Sequence, residues 1–139
     1  MGIERMVFAA AAGAALLATA GAGLAAPAAP MQVKLQGGAG GDAAGSGTAS
    51  VTIDPAAPQV CYEVSSSLKD ASMAHIHKGA AGVSGPVVVP FTNPTDGKTK
   101  GCAPVSRAVA DDLLAHPSDY YVNVHTPQFP MGAIRGQLK

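Results

Sequence analysis

The sequence contains no tryptophan and only three phenylalanines, so few large aromatic side chains are available for a hydrophobic core. The core must therefore be built mainly from valine, isoleucine, leucine and alanine. Basic and acidic residues balance at nine each, and no basic patch stands out, which argues against nucleic acid as a partner. The chain also lacks a Lys/Arg-rich amphipathic helix of the kind that lies on a membrane surface.

Motifs of several enzyme classes are missing as well. The serines Ser65, Ser66 and Ser67 have no GxSxG context, and no phosphate-binding loop follows the Gly/Ala/Ser-rich segment 37–47. Asp111 and Asp112 are adjacent on a predicted helix, so they do not face each other as an acid/base pair would and are interpreted as part of a solvated face. These absences favour a binding or structural protein over an enzyme.

Residues 1–28 have the pattern of a signal peptide. Arg5 is followed by an uncharged, Ala/Gly-rich stretch from Val7 to about Leu24, and small residues offer cleavage points at about 20–28. A retained membrane anchor is the competing interpretation, but no basic stop-transfer cluster follows. Removal leaves about 110 residues, enough for one domain over 29–139, in a secreted or periplasmic protein.

The two cysteines, Cys61 and Cys102, agree with an oxidising compartment. An even number of cysteines in an exported chain favours a disulfide bond. Their spacing does not fit the CxxC pattern of metal-binding or redox-active pairs. We therefore predict a structural disulfide between Cys61 and Cys102.

Hydrophobic patterning predicts an all-β domain of seven or eight short strands with one helix. The helix is expected over Ser106–Ala115, with Ser106 as its N-cap and Val109, Leu113 and Leu114 as its apolar stripe. The run Val87–Val89 is typical of a strand buried on both sides. Antiparallel pairing with a longer crossover indicates a Greek-key sandwich or barrel. The predicted strands lie at 31–36, 48–53, 59–64, around His75, and at 87–89, 120–126 and 133–138.

Two of the predicted strands carry histidines on one face. Residues two apart in a strand point to the same side, so His75 and His77 project together, opposite Ala74 and Ile76. In the later strand, His125 shares its face with Tyr121 and Asn123, whereas Val122 and Val124 form the other face. Each strand thus offers an apolar face to a core and a histidine-bearing face away from it.

Three imidazoles on two strands are suited to a transition metal. His75, His77 and His125 would form a compact three-nitrogen site for copper or zinc, with supporting contacts from Asn123 and Thr126. The alternative is a structural role, in which the histidines hydrogen-bond to the backbone and tie loops together.

Two further residues are interpreted as structural. His116, at the end of the predicted helix, is expected to cap carbonyls or meet solvent rather than to bind a metal. Arg135, on the outer face of the last strand, is expected to support the site by pairing with Glu63 or by holding loop carbonyls, and gripping an anionic ligand is the functional alternative.

Two separated motifs lie in the chain after the predicted signal peptide. They comprise Ala74–Gly79, Gly82 and Gly85–Val88, and then Leu113–Pro117, Tyr120–Thr126, Phe129–Gly132 and Ile134–Leu138. In these motifs the chain resembles the chordin-type domain, the CHRD domain. The resemblance implies a small extracytoplasmic β domain, found alone in bacteria and repeated in an animal secreted antagonist of growth factors. It does not imply an enzymatic activity.

The sequence therefore predicts an exported binding module that holds copper or zinc, or an extracellular protein partner. A redox enzyme or copper-handling protein is the alternative, because the His-x-His strand also looks like part of copper/zinc superoxide dismutase. The four histidines are too few for the bimetal site of that enzyme. A purely structural envelope domain is the third interpretation.

Overall fold

The computed structural model describes residues 26–139, and these residues form eight β-strands and one α-helix. The helix, α1, spans Arg107–Ala115, and a 3₁₀ turn at Pro117–Asp119 follows it. Within the described residues, no helix is long and apolar enough to cross a membrane. The predicted signal peptide, 1–28, lies outside the described range except for residues 26–28. The strands are β1 (Met31–Gln36), β2 (Ser46–Asp54), β3 (Gln59–Ser66), β4 (Met73–Lys78), β5 (Val87–Pro90), β6 (Lys98–Pro104), β7 (Tyr120–His125) and β8 (Ile134–Gln137).

The strands form one antiparallel sheet in the order β5-β4-β7-β8-β1-β2-β3-β6. The first three strands are neighbours in sequence and in space. A crossover then carries the chain from β3 to β4 near the opposite edge, and a second crossover returns it from β5 to β6 beside β3. The predicted all-β architecture with crossover connections and one short helix is confirmed.

The two edges of the sheet approach each other, which makes it a nearly closed barrel. Tyr62 of β3 stacks on Phe91, just after β5, with 3.8 Å between ring centroids. The backbone N–H of Thr92 donates to Tyr62 Oη at 2.8 Å, and Thr99 Oγ1 of β6 donates to the Thr92 carbonyl at 2.6 Å. Side chains thus bridge the gap where the backbone ladder is missing.

The core lies inside this barrel and is built mostly from small aliphatic side chains, as the composition predicts. On β3, Val60, Tyr62 and Val64 point inward and are all buried. Helix α1 adds Ala110 and Leu113, which are completely buried. The predicted cap is present, since Ser106 Oγ accepts a hydrogen bond from Val109 N–H at 3.2 Å. Leu114, expected on the apolar stripe, is instead exposed.

Two predictions about strands were wrong or incomplete. The segment Val87–Val89 is not buried on both sides, because β5 is an edge strand in which Val89 is buried but Val87 is 48% exposed. Strand β6 was missed by the sequence analysis, because its inward positions are Thr99, a glycine at 101 beneath the Tyr62 ring, and Ala103. These residues give little hydrophobic alternation.

Cys61 and Cys102 lie directly opposite each other on β3 and β6. Their Cα atoms are 3.9 Å apart, and the sulfur atoms are at disulfide distance. Cys61 is half-buried and Cys102 is exposed, so the pair lies outside the core. The link adds a covalent connection between two strands that are already hydrogen-bonded.

Candidate metal site

Strands β4 and β7 pair in a register that brings the histidines together. His75 lies opposite Asn123, His77 lies opposite Tyr121, and His125 lies opposite Met73. The intervening residues of both strands point into the core and are fully buried: Ala74, Ile76, Val122 and Val124. The predicted alternation is confirmed on both strands.

The histidine-bearing face is covered by loops and is not open to solvent. His77, Asn123 and His125 are 8%, 4% and 5% exposed, although they lie on the side of the sheet away from the core. The loop between β4 and β5 covers His77, and the loop between β7 and β8 covers His125. His75 is only partly buried. The site is therefore a shielded pocket rather than a surface patch.

The three imidazoles contact one another directly. His75 Nδ1 lies 3.1 Å from His125 Nε2, and the ring centroids of His75 and His77 are 5.4 Å apart. The His77 and His125 centroids are separated by 5.6 Å. One nitrogen from each ring lies within 4.8 Å of the other two.

Backbone carbonyls fix the orientation of two rings. His77 Nδ1 lies 2.9 Å from the Gly85 carbonyl oxygen, and His125 Nδ1 lies 3.0 Å from the Pro130 carbonyl oxygen. Because a carbonyl oxygen only accepts, each Nδ1 must carry the proton and donate it. In the neutral rings, both Nε2 atoms then present lone pairs.

The Nε2 atom of His77 has no hydrogen-bond partner, although it is fully buried. Among the described residues it is the one buried side-chain nitrogen or oxygen left without a partner. An unpartnered buried polar atom costs about 1–3 kcal/mol. A cation bound at this lone pair would remove that cost.

Burial disfavours the charged forms of His75 and His125. The pKa of His75 is lowered to about 4, mainly because the partly buried ring is desolvated, and further by His125 and His77. Burial also lowers the pKa of His125, against the opposing effect of its hydrogen bond to Pro130. At neutral pH both rings are therefore uncharged, and one proton lies in the hydrogen bond between His75 Nδ1 and His125 Nε2.

Asn123 and Thr126 hold the loop that carries the Pro130 carbonyl. Asn123 Nδ2 donates to the Met131 carbonyl at 3.2 Å, and Thr126 Oγ1 accepts from Phe129 N–H at 3.1 Å. Neither side chain forms a hydrogen bond with an imidazole. They act on His125 through the backbone of this loop.

Arg135 holds the loop that carries the Gly85 carbonyl. Its guanidinium donates to the carbonyls of Val83 at 3.1 Å and Ala80 at 3.3 Å. Holding loop carbonyls was one of its predicted roles. The predicted pairing with Glu63 was wrong, because that carboxylate instead lies 3.1 Å from Lys100 Nζ. Residue patterns carry no signal for Gly85 and Pro130 as imidazole partners, since any residue has a carbonyl.

A column of stacked groups runs from Arg135 to the cluster. The Arg135 guanidinium carbon lies 3.4 Å from the centroid of the Tyr121 ring. Tyr121 in turn stacks on His77, with 5.1 Å between centroids and 10° between planes. Tyr121 Oη also accepts the Gly85 N–H at 3.1 Å, which further fixes the loop over His77.

His116 lies outside the cluster, in agreement with its predicted structural role. Its Nδ1 lies 3.0 Å from Asp112 Oδ1, and its side chain is 62% exposed. Asp112 also accepts from Lys78 Nζ at 2.6 Å and from the Tyr120 hydroxyl. These donors, Lys78 first, hold the pKa of Asp112 well below its usual range. The interpretation of Asp112 as a merely solvated residue was therefore wrong, since it joins α1, β4 and β7.

A groove with a volume of about 680 Å³ adjoins the histidine cluster. The Gly-rich loop after β1 forms one wall, and the loops covering the histidines contribute Gly82 and Gly132. Tyr121, Asn123 and Arg135 also line it, so it shares residues with the site. None of the three clustered histidines lines the groove, so it reaches the site only through these shared residues.

The lowered pKa of His75 predicts acid sensitivity of the metal-free protein. The unfolded imidazole takes up a proton near pH 6.5, whereas folded His75 resists protonation until about pH 4. Above pH 6.5 this group therefore does not reduce the stability of the folded state. As the pH falls from 6.5 toward 4, the unfolded state gains a proton that the folded state does not bind, and the free energy of unfolding decreases. We expect this residue to lower the free energy of unfolding by about 1–2 kcal/mol over that range, allowing for its partial exposure.

Urea denaturation at pH 7 and pH 4.5 measures this effect as a difference between variants. His75→Gln should lose less stability on acidification than the wild type. His116→Gln, which changes an exposed histidine outside the cluster, should behave as the wild type does. Equal acid sensitivity of His75→Gln and the wild type would contradict the prediction.

Two of the three imidazoles already have the spacing of ligands on one transition metal ion. Two nitrogens bound to one ion at about 2.0–2.1 Å lie roughly 2.9–3.4 Å apart at angles of 90–110°, and the closest pair here is at 3.1 Å. Donation of the other ring N–H to a carbonyl is the usual arrangement of metal-bound histidine. A bound ion would replace the proton shared by His75 and His125, and His75 Nε2 would then carry the proton.

Comparison with protein families places both histidine strands in a known domain. The CHRD domain profile matches residues 24–138, which is nearly the whole chain. Comparison with curated proteins and with solved structures finds no match. The matched residues include every strand of the barrel and all three clustered histidines. The chain therefore belongs to the CHRD domain family.

Proposed function

We propose that this protein is an extracytoplasmic binding module that holds one transition metal ion through His75, His77 and His125. The ion would be copper or zinc, because imidazole nitrogens bind both well. The group consists of histidines alone, with no carboxylate or thiolate among its potential ligands. The module would bind without catalysing a reaction.

The observation that carries this proposal is the unpartnered Nε2 of His77. A purely structural network would be expected to satisfy this atom, as it satisfies Nδ1 of the same ring through Gly85. The fixed tautomer of His125 supplies a second lone pair, which accepts from His75 in the metal-free protein. Both features support a cation as the missing partner.

Export is supported by two features of the chain. The first 28 residues have the composition of a signal peptide. Cys61 and Cys102 lie at disulfide distance, which suits an oxidising compartment. A secreted or periplasmic location fits both features.

Metal content of the untagged protein, recovered after expression of the full-length chain, tests the proposal. After incubation with Cu or Zn and dialysis, the wild type should retain one equivalent of metal. His77→Gln should lower the affinity by about 100-fold or more, since loss of a ligand should exceed the 10–100-fold effect of losing an outer hydrogen-bond partner. The matched control His116→Gln should bind as the wild type does.

Two results would refute the proposal. One is a wild type that retains no metal, and the other is a His77→Gln variant that is folded and binds as tightly as the wild type. If His77→Gln instead gains thermal stability and neither form binds metal, the histidines are structural and the module acts through another ligand. Circular dichroism of each variant separates loss of binding from loss of folding.

A redox role is the second candidate, because three protein ligands leave a coordination position open to a small molecule. This openness is what a metal-dependent oxidoreductase requires and what a closed structural site lacks. Turnover of superoxide by the metal-loaded protein, absent in His77→Gln, would favour the enzyme. Metal retention without turnover would favour the binding module.

A further inference from the structure

The cluster of potential metal ligands carries no negative charge. It consists of three histidines, and no carboxylate or thiolate belongs to it. The cost of burying an ion rises with the square of its charge, so a divalent ion loses about four times as much hydration free energy as a monovalent ion of equal size. Anionic ligands would offset that cost for a divalent ion, but neutral imidazoles leave the whole charge uncompensated. The donor set therefore imposes a smaller electrostatic penalty on a monovalent ion than on a divalent ion.

A resident cation strengthens this preference. The Arg135 guanidinium lies on the Tyr121 ring, and Tyr121 stacks on His77. The positive charge of Arg135 is therefore separated from His77 by one aromatic ring. Strand β7, which carries Tyr121, lies between the strands of His77 and Arg135. The guanidinium raises the electrostatic potential at the imidazoles, and the repulsion is twice as large for a divalent ion.

A methionine shares the strand face of the histidines. Met73 precedes His75 by two residues on β4, so both side chains leave the same face of the strand. Met73 is also directly opposite His125 on β7. Directly opposite residues of antiparallel strands have Cβ atoms about 4.5–5.5 Å apart, and methionine is long and unbranched. Its side chain is 41% exposed, so it is not held in the core.

From these three features we infer that the site is selective for Cu(I) and that the Met73 sulfur is a ligand of the ion. The inference rests on the proposed metal-binding function and names the ion. Thioether sulfur is a soft donor that selects Cu(I), whereas Zn(II) prefers imidazole, thiolate and carboxylate ligands. Among the monovalent ions, Cu(I) is the one that a set of imidazoles and a thioether suits.

Competition with a chromophoric Cu(I) chelator such as bicinchoninate tests the inference. The assay is run without oxygen and with ascorbate, and Zn(II) affinity is measured in parallel with a fluorescent zinc indicator. The wild type should bind Cu(I) at least about 100-fold more tightly than Zn(II), given the soft donor and the neutral ligand set. Met73→Leu should weaken Cu(I) binding about 10-fold and leave Zn(II) affinity within about twofold.

Met131→Leu is the matched control, because Met131 is 83% exposed and lies on the loop beyond His125. It should bind both ions as the wild type does. Leucine is close to methionine in volume, so neither variant should unfold. Equal Cu(I) affinity of Met73→Leu and the wild type, or tighter binding of Zn(II) than of Cu(I), would overturn the inference and leave the proposed function standing. Absence of binding of either ion would overturn both.

Discussion

Replacing Gly85 by alanine is expected to destabilise the protein by about 3 kcal/mol, near the upper end of overpacking effects, and to weaken metal binding strongly. A Cβ atom on Gly85 would lie 1.7 Å from the Lys78 carbonyl oxygen, which belongs to the backbone of β4 and has little freedom to move. The loop would have to shift away from the strand. That shift removes the Gly85 carbonyl from His77 Nδ1 and the Gly85 N–H from Tyr121 Oη.

Gly82→Ala in the same loop is the matched control. Gly82 has a φ of +78°, but nothing lies within 4 Å of a Cβ placed on it. Its substitution should therefore cost only the left-handed backbone penalty of about 1–2 kcal/mol and leave the orientation of His77 unchanged. Urea denaturation gives the stability of both variants, and metal retention reports on His77. A Gly85→Ala variant as stable as Gly82→Ala would show that the loop does not depend on this close approach.

Removing the link between Cys61 and Cys102 should have a still larger effect on stability. Their separation of 41 residues corresponds to about 4 kcal/mol in the chain-entropy account of cross-links. For a domain of this size, that loss should lower the melting temperature by about 15–20 °C. The double variant Cys61→Ala/Cys102→Ala, melted beside the wild type, measures the difference.

Two controls make this result specific. A thiol reductant should bring the wild type down to the melting temperature of the double variant and leave the variant unaffected. Metal affinity at low temperature should not change, because the histidines lie on β4 and β7, and neither strand pairs with β3 or β6. If the double variant lost less than about 1 kcal/mol of unfolding free energy, the cross-link would not restrain the unfolded chain as the entropy model requires.

The sequence predicted the faces of the histidine strands because side-chain direction in a strand depends only on residue number. The spacing of His75 and His77 is enough to place both on one face, and the alternation of Val122 and Val124 places His125 opposite the core. The pairing of these two strands is a different matter. It depends on crossovers that bring distant segments together, and alternation in one strand carries no information about its partner.

The surroundings of the imidazoles were beyond prediction for a related reason. The partners of His77 and His125 are backbone carbonyls at Gly85 and Pro130, and every residue offers such a group. Which carbonyl meets which ring depends on the path of a loop, and the loop is fixed by contacts such as those of Arg135. The glycine at 85 is itself a partial signal, since glycine is the usual residue where two backbone segments approach closely.

Edge position also lay outside what hydrophobic patterning reveals. Val87–Val89 has the composition of a doubly buried strand, yet its place at the end of the sheet leaves Val87 exposed. Strand β6 has the opposite composition, with Lys98 and Lys100 on its exposed face. Burial follows from the neighbours of a strand, so local sequence is least informative at the two edges of a sheet.

The side-chain bridge across the barrel gap has a consequence for the behaviour of the domain at high concentration. An open sheet edge is a template on which a second molecule can add its own strand and begin aggregation. Here the Thr99–Thr92 and Thr92–Tyr62 hydrogen bonds occupy groups at the seam. Proline ends both edge strands, at Pro90 and Pro104, and removes amide donors there. The contacts that close the barrel thus also hinder aggregation by strand pairing between copies of the domain.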